Sequence, residues 1–227
     1  MEIAHADVKR LEFLDALVNA ALARQLQELS FLLCPPPSGA PLARLLRGGT
    51  LTTLEFSASE VALFETAAAA LVADALRATT ALTALKLLRA RLCEDMHAAG
   101  VLLGALVGHP SLRSLSLVYE DAADRTALGA LLAPLIVADA PALQKLSFFG
   151  SKLGDKGLAP LMDVLSRNTH LRSLDLRNTD YSEAFARERL LPAVRANKSL
   201  RELMCTVSTW APVVEAMEFV RSRTRRS

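Results

Sequence analysis

Leucine recurs in this chain with a phase that few folds can accommodate. The pattern leucine, two residues, leucine, one residue, apolar residue occurs at Leu26-Leu29-Phe31, Leu51-Leu54-Phe56, Leu82-Leu85-Leu87 and Leu112-Leu115-Leu117. It returns at Leu143-Leu146-Phe148, Leu171-Leu174-Leu176 and Leu200-Leu203-Cys205. The first positions are 25, 31, 30, 31, 28 and 29 residues apart. A leucine-rich helical protein gives an occasional match by chance, but not a phased series, so the chain reads as a stack of like units. In a strand, successive side chains alternate between faces. The fourth and sixth positions then point into a core, and the third, fifth and seventh point away from it. The first leucine enters the core as the chain turns into the strand.

Helical stretches lie between these strands. Leu158, Leu161, Met162 and Leu165 recur at i, i+3, i+4 and i+7, one face of a helix, and Asp155 sits near its start, where a carboxylate suits the dipole. The alanine-rich segments 67–76, 102–107 and 128–136 behave alike. Each unit therefore reads strand, loop, helix, loop. One unit cannot bury its apolar face alone, so neighbours must stack. Right-handed crossovers then put the strands in one parallel sheet and the helices on the other side. The predicted class is α/β.

The segment LQKLSFFGSKLGDKGLAPLMDVLSRNTHLRSLDL, Leu143 to Leu176, resembles the ribonuclease-inhibitor-like class of leucine-rich repeats, which has a full helix in each unit. The lead-in Gly154-Asp155-Lys156-Gly157 and the exit Asn168-Thr169-His170 are similar to that class, and the resemblance covers about Leu26 to Cys205. It implies a horseshoe-shaped solenoid with strands on the concave face and helices on the convex face. The class carries Asn or Cys at the ninth position. Here those positions are Cys34, Ser59, Ala90, Glu120, Ser151, Thr179 and Ser208, so only Cys34 matches, and looser loops are expected.

The repeats are placed at 26–208. A terminal unit exposes an apolar flank and needs a cap. In the segment 1–25, Val8, Leu11, Leu14, Leu17 and Val18 predict a cap helix or a degenerate repeat. In the segment 209–227, Trp210 to Val220 predicts a final helix, with Val213, Val214, Met217 and Val220 on one face. The basic tail Arg221, Arg223, Arg225 and Arg226 then reads as a solvated helix end.

Composition narrows the function. Hydrophobic residues make up 52%, charged residues 22% and aromatics only 5%, so a core built from Leu and Ala is expected. A net charge of +2 gives no bulk argument for nucleic acid. Cys34, Cys93 and Cys205 form neither a disulfide framework nor a zinc site, which fits a reducing, cytoplasmic setting. Met1 to Arg10 has no apolar signal core, and no apolar run of about 18 residues suggests a membrane span. On that ground the glycosylation sequon Asn197-Lys198-Ser199 is discounted.

Chemistry-bearing motifs are sparse. His5, His97, His109 and His170 are scattered, with His109 and His170 in helix-to-strand loops. Gly150, Gly154 and Gly157 have no Gly-Lys-Ser/Thr after them and fall where a repeat turns. Cys93-Glu94-Asp95 resembles the C-x-D catalytic motif of bacterial effector ubiquitin ligases, but an acidic first helix turn explains Glu94 and Asp95 equally well. No enzyme activity, cofactor or metal is expected.

A docking surface is more legible. Seven strands about 4.8 Å apart make a wall roughly 30 Å long, which suits a protein or peptide better than a metabolite. The fifth-position column contains Lys86 and Asp175. The seventh contains Leu88, Val118, Phe149 and Arg177, and the eighth Arg89, Tyr119 and Asn178. Aromatic, apolar and arginine side chains at the centre of such a wall have the composition of a binding hot spot. These nine residues are the candidate partner site, unless Leu88, Val118 and Phe149 tuck under as core. The expected function is protein–protein interaction, as an adaptor or a bacterial effector that works inside a host cell. The alternative is a substrate-recognition subunit of a ubiquitin-ligase complex.

Overall fold

Every leucine signature from Leu26 onward produces a short strand, because alternating apolar side chains can then be buried on one face only. In the computed structural model the strands are β2 (Glu28–Leu32), β3 (Thr53–Ser57), β4 (Ala84–Leu88) and β5 (Ser114–Val118), then β6 (Lys145–Ser147), β7 (Ser173–Leu176) and β8 (Glu202–Cys205). An additional strand, β1 (Glu2–Ala4), pairs in parallel with β2, so the sheet is eight strands wide, all parallel and in sequential order. The structure describes residues 2–4, 19–20, 25–32, 39–57, 66–89, 95–119, 125–206 and 209–225. The cap positions Val8 to Val18 lie outside these.

The register shows why the phase matters. Leu29, Leu54, Leu85, Leu115, Leu146, Leu174 and Leu203 are paired strand to strand in one unbroken row. Each is at most 6% exposed. A shift of one residue in any strand would turn its leucines outward, so burial locks the stacking.

Helices fill the crossovers: α1 (Gly39–Arg47), α2 (Thr66–Ala78), α3 (Met96–Leu106), α4 (Arg125–Val137) and α5 (Gly154–Leu165). Leu158, Leu161, Met162 and Leu165 are all buried, the face expected from their spacing. Gly157 of α5 faces Gly129 of α4. A β-carbon on Gly129 would lie 2.2 Å from the Gly157 carbonyl oxygen, so the two helices meet backbone to backbone there. The next crossover is a composite of α6 (Glu183–Phe185), a π-helical turn over Ala186–Leu190 and α7 (Leu191–Ala196). Pro192 is the second residue of the last part and directly follows the π-helical turn.

The final helix, α8 (Ala211–Thr224), runs past the expected Val220. Val213, Ala216 and Val220 are buried against the last repeat. Arg221 and Arg223 therefore belong to the helix rather than to a tail. Arg223 donates to the carbonyls of Asn197 and Arg195, and its guanidinium lies 4.3 Å from the Phe219 ring. The Thr224 hydroxyl donates to the Arg201 carbonyl at 2.8 Å. This helix end is a clasp on the last unit.

Two described loops are tighter than the ninth-position residues suggested. The Ser151 hydroxyl donates to the Leu117 carbonyl at 2.9 Å, and that of Thr179 to the Leu176 carbonyl at 2.8 Å; both residues are almost fully buried. Short hydroxyls thus replace the expected Asn or Cys. Cys34, Ser59, Ala90, Glu120 and Ser208 lie outside the described residues. Polar side chains also brace the helix exits three residues before the first leucines Leu112, Leu171 and Leu200. Asn168 donates to the Ile136 carbonyl and accepts from the His170 and Leu171 amides. Asn197 donates to the Leu165 and Asn168 carbonyls and accepts from the Ser199 and Leu200 amides. His109 does the same work two units before Asn168, with Nε2 against the Leu76 carbonyl and Nδ1 accepting from the Leu112 amide. The sequon asparagine is therefore a buried brace whose amide is fully engaged.

Candidate functional site

The candidate residues fall where the strands end. Beyond each strand the eighth-position N–H donates to the seventh-position carbonyl of the next repeat: Arg89 to Val118 at 2.8 Å, Tyr119 to Phe149 at 2.9 Å and Gly150 to Arg177 at 2.9 Å. At the fourth step the Asn178 N–H meets the Thr206 hydroxyl instead, at 2.6 Å. These bonds bend the backbone into the left-handed region at Arg89 (φ 50°), Tyr119 (φ 58°), Gly150 (φ 70°) and Asn178 (φ 56°). Glycine and asparagine tolerate that conformation, whereas a bulky side chain there costs roughly 1–2 kcal/mol. Arg89 and Tyr119 carry this strain at the mouth of the concave wall.

The turn sets four side chains in a row. Tyr119 and Phe149 make an edge-to-face pair, with centroids 5.3 Å apart and planes at 72°. The Arg89 guanidinium lies 5.5 Å from the Tyr119 ring centre, and that of Arg177 lies 5.0 Å from the Phe149 ring centre. The order along the wall is cation, aromatic, aromatic, cation. Gly150 makes room for it: a β-carbon there would lie 2.3 Å from the Tyr119 ring. Tyr119 remains 44% exposed, and Phe149 is half-buried.

Asp175 is a brace and not a contact surface. It is only 4% exposed. One carboxylate oxygen accepts from Arg177 Nε at 2.9 Å and from the Arg177 amide, and the other from Arg177 Nη2 at 2.8 Å and from the Ser147 hydroxyl. A forked bond of this kind fixes the plane of the guanidinium. Val118 also leaves the candidate surface: at 8% exposure it is core. Leu88 is half-buried and lies opposite Val118 in the strand register. Lys86 pairs with Glu55 at 2.8 Å on the neighbouring strand, and Asn178 stands exposed one residue beyond Arg177.

The structure thus joins Arg89, Tyr119, Phe149 and Arg177, sets Asp175 behind them, and leaves Lys86 and Asn178 to either side. Gly150, Ser147, Glu55 and Thr206 were not among the expected site residues. Gly150 had a signal, since it fills the column position next to Tyr119. The roles of Ser147 and Thr206 depend on which hydroxyl faces which neighbour, and spacing does not carry that.

Other reactive groups are tied up. Cys205 is buried beside Tyr181, and burial pushes its thiol up to about 11, against a smaller lowering by the Tyr181 hydroxyl. Asp139, Thr169 and His170 make a cluster between two repeats, with the carboxylate accepting from the Thr169 amide and hydroxyl, each at 2.7 Å. His170 Nδ1 lies 3.0 Å from the same carboxylate. Cys93 and Glu94 lie outside the described residues, and Asp95 caps α3 by accepting from the His97 and Ala98 amides. Among the described residues no group of three or more His, Cys, Asp or Glu could hold a metal ion, and no helix is long and apolar enough to cross a membrane.

No family model matches this sequence, and no curated protein matches it. Among solved structures the chain is similar to the actin-binding site 2 of leiomodin-1, at 13% identity and a TM-score of 0.42, covering 82% of this chain and 90% of that one. It is also similar to a tropomodulin C-terminal domain from Caenorhabditis elegans, at 14% identity and a TM-score of 0.46, covering 83% and 96%. The fold rests on the observed strand order and leucine register: this is a leucine-rich-repeat-like α/β solenoid.

Proposed function

We propose that this chain is a non-catalytic protein-interaction module, an adaptor that docks its partner on the concave strand face within the cytoplasm. The reading is carried by one observation: a cation–aromatic–aromatic–cation row held at the mouth of the wall on strained backbone. Strain retained at an exposed aromatic is a mark of function, because a glycine would serve the turn more cheaply. Aromatic and arginine side chains also dominate binding energy at protein interfaces. Phe149 and Tyr119 supply rigid area, and Asp175 holds Arg177 ready. One full helix in most units, with buried polar rows at both loop levels, supports the ribonuclease-inhibitor-like class as the finer description.

Affinity purification with the wild-type chain and with a Tyr119→Ala/Phe149→Ala variant, compared by quantitative mass spectrometry, tests this. At least one protein is expected to be retained by the wild type and depleted about tenfold or more by the variant, while circular dichroism shows both folded. Equal retention of every captured protein by the folded variant would sink the proposal.

A further inference from the structure

The charges of the wall are not evenly matched. Carboxylates at its flanks are already engaged: Glu55 with Lys86, Asp175 with Arg177 and Ser147, and Glu202 with the Ser173 hydroxyl at 2.7 Å. The central repeats, at 82–89, 112–119 and 143–151, contain no Asp or Glu, yet they carry Lys86, Arg89, Arg113 and Lys145. Arg113 and Lys145 are adjacent, since the Lys145 amide donates to the Arg113 carbonyl at 2.9 Å. Both are exposed, and neither has an ion-pair partner among the described residues. Between the strands Ser114 and Ser116 add half-buried hydroxyls. The acidic residues Glu120 and Asp121 follow the opposite end of β5, outside the described residues.

The central wall therefore has two unlike ends. Where the strands begin it carries Arg113 and Lys145 and no ring, and where they end two aromatic rings lie between Arg89 and Arg177. On β5 these ends, Ser114 and Val118, are four residues or about 13 Å apart. Resting on the docking role above, we propose that the partner presents an extended acidic peptide segment. An aromatic or aliphatic side chain sits against Tyr119, Phe149 and Leu88, and Asp or Glu about four residues away sits against Arg113 and Lys145. Charge complementarity selects the segment, and the apolar residue anchors it. Arg113 and Lys145 are too few for the run of phosphates that a nucleic acid would bring.

A random 16-residue peptide display library panned on the full chain tests this, followed by titration of a fluorescein-labelled synthetic winner. Enriched peptides are expected to pair an aromatic or aliphatic residue with Asp or Glu three to five positions away. Phe149→Ala and the charge-reversing Arg113→Glu/Lys145→Glu variant are each expected to weaken the winner about tenfold, and replacing its acids with lysines should restore binding to the charge-reversed chain alone. Winners that depend on Phe149 but show no acidic bias overturn the charge assignment and leave the docking role standing. Winners unaffected by Phe149→Ala, with the variant folded by circular dichroism, overturn both. An oligothymidine that binds more tightly than any winner and is lost with Lys145→Glu overturns the peptide assignment.

Discussion

At the residue scale, the most informative side chains are those whose polar groups have no alternative partner. Asn197 satisfies two carbonyls and two amides in a buried loop. Asn197→Ala strands all four and is expected to cost about 3 kcal/mol in urea unfolding. Tyr119 poses the opposite case. Tyr119→Gly relieves left-handed strain of about 1 kcal/mol and forfeits ring contacts of similar size. Stability should therefore stay within about 1 kcal/mol of wild type while partner binding is lost, as read by paired unfolding and pull-down measurements. Much of this site was legible in the chain alone, because the columns follow from the strand period. Two assignments were not. Asp175 sits at an outward position but is buried, since Arg177 and Ser147 close over it, and Val118 is core although it occupies the same column as Phe149. Period two specifies direction, whereas depth depends on the neighbour's bulk.

At the element scale, polar staples join one repeat to the next. Asp139 shows how such a staple responds to pH. Burial opposes ionisation of its carboxyl, but the bonds from Thr169 and the neighbouring His170 outweigh it and hold the group below its usual value of 3.8. A depressed carboxyl pKa contributes stability above the unfolded-state value, and that contribution disappears as pH falls through the folded-state value. The wild type is therefore expected to lose stability below about pH 4 more steeply than Asp139→Asn does, as judged by urea midpoints across the acid range. A variant with the same acid slope as wild type would show that the staple is electrostatically idle. The staple stands where the helix-exit row has Ala140 in place of Asn or His. Neither the row nor this substitute follows from leucine spacing. Both depend on which polar side chain closes each helix exit, and the apolar phase does not carry that.

At the scale of the whole molecule, phase was enough. Near-constant spacing implied stacking, stacking implied a parallel sheet, and the strand order confirms both. Strand β1 was less accessible, because Glu2–Ala4 lacks the leucine signature that marks the others. The C-terminal cap is expected to be indispensable. Removal of residues 211–227 exposes the flank that Val213, Ala216 and Val220 cover. In a stack whose units support only their neighbours, that flank is a source of aggregation and fraying. The shortened chain should bind a hydrophobic dye and unfold over a broader urea range than the full chain.

The glycine pair between α4 and α5 bears on the shape of the horseshoe itself. A horseshoe bends because packed helices normally sit 8–10 Å apart while strands sit about 4.8 Å apart, so the outer rim is longer than the inner one. Where Gly129 and Gly157 let two helices touch through their main chains, the rim is shortened. The arc must straighten at that joint, which is the step between β5 and β6. Tyr119 and Phe149 straddle that step, so the helix contact on the outer rim sets the angle at which the two rings are presented.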